Sequence, residues 1–105
     1  MPHSISIPHA MRCHSSGAVV VGAASVGLPA GAWENTKGKD IEVLLGIETD
    51  QIRMELDGSD AGSADMLWEA GDKLTVPGID AIKKLRMIRV TTDATVTYWA
   101  FSRPI

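Results

Sequence analysis

The sequence predicts an all-β fold: an antiparallel β-sandwich, jelly-roll-like, with an extended N-terminal arm. From residue 17 onward, short apolar segments are separated by Gly, Pro, Asn and Asp. About seven such segments recur at a spacing of ~8–12 residues, which is typical of small sandwiches and barrels. The one helical pattern, Ile79–Lys84, is too short to be an independent element. With 105 residues, the chain has the length of one domain.

The predicted strands are identified by β-branched residues or by alternation. The clearest alternation lies in segment 51–56, where Ile52, Met54 and Leu56 share one side, so we expect that side to be buried. Residues 28–31 (LPAG) predict a turn, because proline suits a corner position. The predicted strands cover residues 18–21, 41–45, 51–56, 66–68, 73–76, 85–91 and 94–102.

The N-terminal segment differs in composition from the rest of the chain. Residues 1–16 contain two prolines and all three histidines, and no helical or strand period runs through them. We interpret 1–16 as an extended arm and 17–105 as a single β-sandwich domain; a disordered terminus is the alternative for the arm. Ile5 and Ile7 alternate with serines, so this part of the arm is able to add a strand to a sheet edge.

The composition argues against several classes of partner. Ten Lys and Arg residues against thirteen Asp and Glu give a net charge of −3, which disfavours binding to a nucleic-acid backbone. Because no apolar run approaches ~18 residues, we expect no membrane partner. The N-terminus lacks the apolar centre of a secretory signal. Cys13 is the one cysteine, so an intrachain disulfide framework is excluded.

The candidates for metal binding and catalysis are weak. His3, His9, Cys13 and His14 lie close together in sequence, but only His9 and Cys13 have a suitable spacing for zinc. No second close pair would complete the site, so we expect no metal and no cofactor. A Cys13–His14 nucleophile needs a rigid fold to place its base, so we expect no catalytic residue and no enzyme. A cupin-like metalloenzyme that uses the N-terminal histidines remains an alternative.

Two charged segments also have simple interpretations. Asp57, Asp60 and Asp65 lie in a Gly-rich loop that resembles a calcium loop in composition but lacks the ordered ligand positions of an EF-hand. A solvated turn is favoured there. The basic residues of segment 83–89 favour a solvated face or a protected edge strand, with an acidic partner surface as the alternative.

The last predicted strand carries apolar groups on both faces. Val96, Tyr98 and Ala100 alternate with Thr97, Trp99 and Phe101. An exposed antiparallel sheet normally has one polar face. The strand is therefore either buried on both sides or in contact with another subunit. We favour the interface, with Trp99 and Phe101 as candidate contacts, because interface cores are enriched in aromatic residues.

Several segments in a fixed order suggest a family. An early strand of small residues is followed by LPAG at 28–31, IEV at 41–43 and an acidic, Gly/Ser-rich loop at 57–63. A segment with Ala-Gly-Asp-Lys-Leu-Thr-Val-Pro-Gly ends at residue 78, and the chain closes on the Thr-rich strands of 90–98. In this pattern, residues 17–102 resemble the capsid decoration (cement) proteins of tailed bacteriophages and related small virion β-domains.

The resemblance implies a non-enzymatic structural virion protein. Such a protein would bind the outer surface of the capsid and clamp neighbouring major capsid subunits after synthesis in the bacterial cytoplasm. Its partners would be the major capsid protein and further copies of itself, as a dimer or trimer. Ile5 and Ile7 of the arm would reach across a neighbour. The alternatives are a head-fibre base or tail adaptor, and a small carbohydrate-binding module that uses Trp33 or Trp68.

Overall fold

The computed structural model describes residues 12–34 and 41–102 of the chain. This part is an all-β structure with one short helix. Its elements are, in order, β1 Arg12–Val21, a 3₁₀ turn Ala30–Ala32, β2 Ile41–Ile47, β3 Ile52–Glu55, β4 Met66–Trp68, β5 Lys73–Pro77, α1 Ile79–Lys84, β6 Arg86–Arg89 and β7 Ala94–Ser102.

The strands form two antiparallel sheets. One sheet has four strands in the order β1-β7-β2-β5, and the other has three in the order β4-β3-β6. Residues of both sheets contribute to one apolar core, with Val43 and Leu45 from the first sheet and Ile52 and Met87 from the second. This arrangement confirms the expected all-β, two-sheet class.

The segment after β1 connects the two sheets. Arg89 of β6 donates its N–H to the carbonyl of Gly22 at 3.0 Å. Val26 and Met87 then exchange two backbone hydrogen bonds, at 2.9 and 2.7 Å, in an isolated antiparallel bridge. The chain therefore leaves the edge of the four-stranded sheet, touches the edge of the three-stranded sheet and returns through β2.

Buried residues alternate with more exposed ones along the central strands β2 and β7, and the buried ones form part of the core. In β2, every second residue from Ile41 to Ile47 is buried, and in β7 the same holds from Ala94 to Ala100. Gly17 of β1 lies opposite Tyr98, and a Cβ at this position would lie 3.2 Å from the tyrosine ring. The glycine thus leaves space for the largest inward side chain of β7.

The predicted elements occur at their expected places, with local differences. Ile52 and Met54 are buried as predicted, but the prediction for Leu56 is wrong: its side chain is 43% exposed, because β3 ends at Glu55. The strand predicted over 85–91 is shorter at both ends: Leu85 is the C-cap of α1, and the chain bends at Val90 after β6 ends at Arg89.

Residues 12–16, which the sequence analysis assigned to the arm, belong to β1. They pair with the end of β7, from Arg12 opposite Ser102 to Ser16 opposite Trp99. The register shifts between Cys13 and Ser15, so His14 is the extra residue of a bulge.

Two leucines test the position of the core. Leu45 is fully buried and Leu56 is 43% exposed. We expect Leu45→Ala to lower the free energy of unfolding by about 2–5 kcal/mol, because it removes buried methyl groups and leaves a cavity. Leu56→Ala, the matched control, should cost less than about 1 kcal/mol. Urea denaturation measures both values, and equal losses for the two variants would contradict this placement of the core.

Candidate interaction surface

The four-stranded sheet has one face on the core and one face directed away from the other sheet. We call the second face the outer face. Because successive strand residues alternate between faces, the outer face is formed by the residues between the buried ones. Its members are Ser16, Ala18 and Val20 of β1; Thr95, Thr97, Trp99 and Phe101 of β7; Glu42, Leu44 and Gly46 of β2; and Lys73, Thr75 and Pro77 of β5.

The centre of the outer face is an uncharged row that crosses all four strands. Trp99 lies opposite Ser16 on one side and opposite Leu44 on the other, and Leu44 lies opposite Thr75. The Trp99 side chain is 44% exposed, and Val20, nearer the sheet edge, is 67% exposed. This surface presents apolar area at the place where an antiparallel sheet usually presents polar groups.

A groove lies beside Trp99, over Gly46. It has a volume of 320 Å³ and is lined by Leu44, Thr97 and Trp99, with Glu48 and Lys73 among its polar members. A Cβ at residue 46 would lie 3.1 Å from Oγ1 of Thr97. Because Gly46 has no side chain, the space above it stays open and forms the floor of the groove. Thr97 Oγ1 donates to Oε1 of Glu48 at 2.9 Å, which orients that carboxylate at the groove.

The sequence predicted Trp99 as a contact residue and placed Thr97 on the same strand face, but it did not indicate a groove. Gly46 lies opposite both Lys73 and Thr97, residues that are far apart in the chain. Only the register of three strands brings them together. No local signal in the sequence marks Gly46 or Glu48 as part of a binding surface.

The other predicted interface residues lie in different surroundings. Phe101 belongs to the outer face by alternation but is only 6% exposed, so Trp99 is the aromatic group that this face presents to solvent. Ile5 and Ile7 lie outside the described residues. The interface prediction thus has one exposed aromatic candidate in the described part of the chain.

The two other tryptophans pack against the core. Trp33 and Trp68 are both half-buried and contact the apolar cluster. The indole N–H of Trp68 is buried and has no hydrogen-bond partner within the described ranges. Both rings are therefore less exposed than that of Trp99.

The side chains of Cys13 and His14 make local hydrogen bonds. The exposed Cys13 thiol donates to the carbonyl of Ser15, and His14 donates through Nε2 to the carbonyl of Ala32 at 2.9 Å. His3 and His9 lie outside the described residues. Across residues 12–34 and 41–102, no three His, Cys, Asp or Glu side chains come together in a way that could hold a metal ion.

Two carboxylates of the acidic loop accept hydrogen bonds within the loop itself. Asp57 accepts hydrogen bonds from the hydroxyl and the backbone N–H of Ser59, and these bonds lower the pKa of Asp57 below its usual value. Asp65 accepts from the N–H of Gly62 at 2.7 Å. These contacts are those of a solvated turn.

The basic segment is paired with nearby aspartates. Lys84 Nζ lies 3.1 Å from Asp80, Arg86 lies 3.5 Å from Asp60, and Arg89 pairs with Asp93. All these carboxylates are well exposed, so the pairs contribute little to stability. Their arrangement is that of a solvated face.

The described part of the chain includes no helix with the length and apolar character needed to cross a membrane. In comparisons with known proteins, no family model matches the chain, and neither a curated protein nor a solved structure is significantly similar to it.

Proposed function

We propose that the protein is a non-enzymatic virion component that binds the outer surface of a phage capsid and clamps neighbouring major capsid subunits. The observation that carries this proposal is the uncharged row at the centre of the outer face, with Trp99 exposed in its middle. Cores of protein interfaces are depleted in charge and enriched in tryptophan. The outer face is therefore suited to contact another protein.

The distribution of charge on the outer face supports a protein partner. Glu42, Glu48 and Lys73 lie around the uncharged row of Ser16, Trp99, Leu44 and Thr75. An apolar centre with a charged margin is the usual anatomy of an interface. Contact with the margin would orient the domain, and burial of the centre would supply most of the binding free energy.

We also propose that the sandwich is a jelly roll, the class predicted from the sequence. If the Val26 bridge is counted as a reduced second strand, the described part of the chain has eight strands. The first then pairs with the eighth, the second with the seventh, the third with the sixth and the fourth with the fifth, all antiparallel. This nesting is that of a long hairpin rolled into two sheets. Jelly rolls are frequent in viral capsid domains, which supports the virion proposal by analogy.

A clamp of this kind stabilises a shell by mass action. A protein that binds only assembled subunits shifts the equilibrium toward assembly as its concentration exceeds the dissociation constant. In the proposal, the outer face contacts the major capsid protein, and Ile5 and Ile7 of the N-terminal segment add a contact to a neighbouring subunit. The protein would be made in the bacterial cytoplasm and would reside on the outer capsid surface as a dimer or trimer.

Co-sedimentation with assembled capsid shells of the encoding virus tests this function. We expect saturable binding at one fixed ratio, and Trp99→Ala should weaken it at least about tenfold, because the variant removes the central aromatic contact. Met66→Ala is the control, since Met66 is an exposed apolar residue of the three-stranded sheet, 66% exposed. It should bind like the parent protein.

Failure of the parent protein to bind shells would refute the decoration function. Binding to isolated tails or head fibres instead would favour the head-fibre or tail-adaptor alternative. Equal binding by the Trp99 and Met66 variants would show that the outer face is not the capsid-binding surface, even if the protein does decorate the shell.

The groove favours carbohydrate binding as a second candidate function. The sequence alternative used Trp33 or Trp68, but the exposed ring is that of Trp99, and it borders a groove that also includes Glu48 and Lys73. An aromatic ring next to hydrogen-bonding side chains is suited to a sugar, which has both apolar faces and hydroxyl groups.

A glycan array followed by calorimetry would separate this candidate from the capsid clamp. If the groove holds sugar, Gly46→Val should abolish binding by filling the groove, and Gly62→Val should leave it intact, since no atom lies within 4 Å of a Cβ at residue 62. Circular dichroism would verify that both variants fold. Absence of any glycan ligand for the folded parent protein would eliminate the candidate.

A further inference from the structure

The first strand is a free edge of the four-stranded sheet. β1 pairs with β7 on one side, and no strand from residues 12–34 or 41–102 lies on its other side. It is ten residues long, and most of its side chains are exposed. An edge strand of this kind presents a row of N–H and C=O groups to which another strand can bind.

After the bulge at His14, residues 15–21 of this edge lack the features that usually prevent such pairing. No Asp, Glu, Lys, Arg or Pro occurs between residues 13 and 21. The other sheet edges differ: β5 carries Lys73 and Pro77, β4 has only three residues, and β6 is bridged by Val26. An edge strand is commonly protected from pairing with another chain by charged residues, by proline, by its short length or by a segment that covers it. Among the edges in the described ranges, β1 is therefore the one suited to pairing.

We propose that β1 pairs with β1 of a second copy of this chain, antiparallel across a two-fold axis at Ala18. Two local features determine this register. The bulge at His14 interrupts regular geometry before Ser15, and after Val21 the carbonyl of Gly22 is already bonded to Arg89. The regular stretch is thus 15–21, and its midpoint is residue 18.

Side-chain complementarity identifies a second copy as the partner. In this register, Ser16 lies opposite Val20 of the partner copy, and Ala18 lies opposite its own equivalent. Outer-face residues therefore meet outer-face residues, and no like charges oppose each other. A two-fold contact is closed, because each copy uses its free β1 edge once, so pairing stops at a dimer. The product is one continuous eight-stranded sheet whose outer face carries two Trp99 rings.

Cysteine cross-linking tests the register directly. In a Cys13→Ser background, Ala18→Cys would place two thiols directly opposite each other, with Cα atoms about 4.5–5.5 Å apart, within the range of a disulfide. Val20→Cys is the control on the same face. Its two copies would be offset by four residues, or about 14 Å, which is too far for a disulfide. Both positions are exposed, so both variants should fold.

We expect mild oxidation to convert the residue 18 variant to a covalent dimer at least tenfold faster than the residue 20 variant. Sedimentation of the parent protein should show a dimer, and Ala18→Lys should sediment as a monomer because two lysines would face each other. A monomeric parent protein, or equal cross-linking at residues 18 and 20, would overturn the proposal. The experiment contains no capsid, so its outcome is independent of the decoration function.

Discussion

The position of β7 between β1 and β2 is the constraint on which the rest of the structure depends. β7 is paired along both edges, with β1 from Ala94 to Ser102 and with β2 from Val96 to Ser102. Its inward side chains, from Ala94 to Ala100, are all buried. The pairing of β1 with β7 thus joins the first and last described segments, which are far apart in the sequence. Such contacts cost loop-closure entropy, so they must be compensated by burial in the core.

In the described part of the chain, the apolar core lies between the two sheets, so the outer face of the four-stranded sheet is not part of it. The inward residues of β2 and β7 fill the core, and the residues between them point away from it. The presence of Trp99 and Leu44 in that second set is therefore not required by the stability of the sandwich. Polar residues would suit an isolated sheet better, since an exposed antiparallel face is normally polar. The proposed contact with another protein would explain why apolar residues occupy these positions.

The edge pairing and the outer face are mutually compatible. Pairing of two β1 strands uses backbone groups at the sheet edge, whereas the uncharged row consists of side chains on the sheet surface, with Trp99 one strand further in. A dimer would present two such rows side by side on one surface. If each row contacts one capsid subunit, a two-fold dimer spans two subunits. Linking two weak sites in this way increases the overall affinity without new contacts.

The sequence predicted the class of the fold and most elements, because alternation and turn residues are local signals. It predicted the burial of Ile52 and Met54, but it failed at Leu56, where the strand ends one residue earlier than the pattern.

The candidate site was less predictable, because it depends on neighbours in space. The exposure of Trp99 and the burial of Phe101 are decided by what covers each side chain. The groove at Gly46 needs the register of three strands. The free edge of β1 follows from strand order, which no single segment encodes.

Cryo-electron microscopy of shells saturated with the purified protein tests the central claim, that the outer face of the four-stranded sheet is a docking surface. We expect additional density in which the four-stranded sheet faces the capsid and the Trp99 ring is buried against a major capsid subunit. The three-stranded sheet should face solvent. Density with the reverse orientation, and Trp99 open to solvent in the bound state, would contradict the claim.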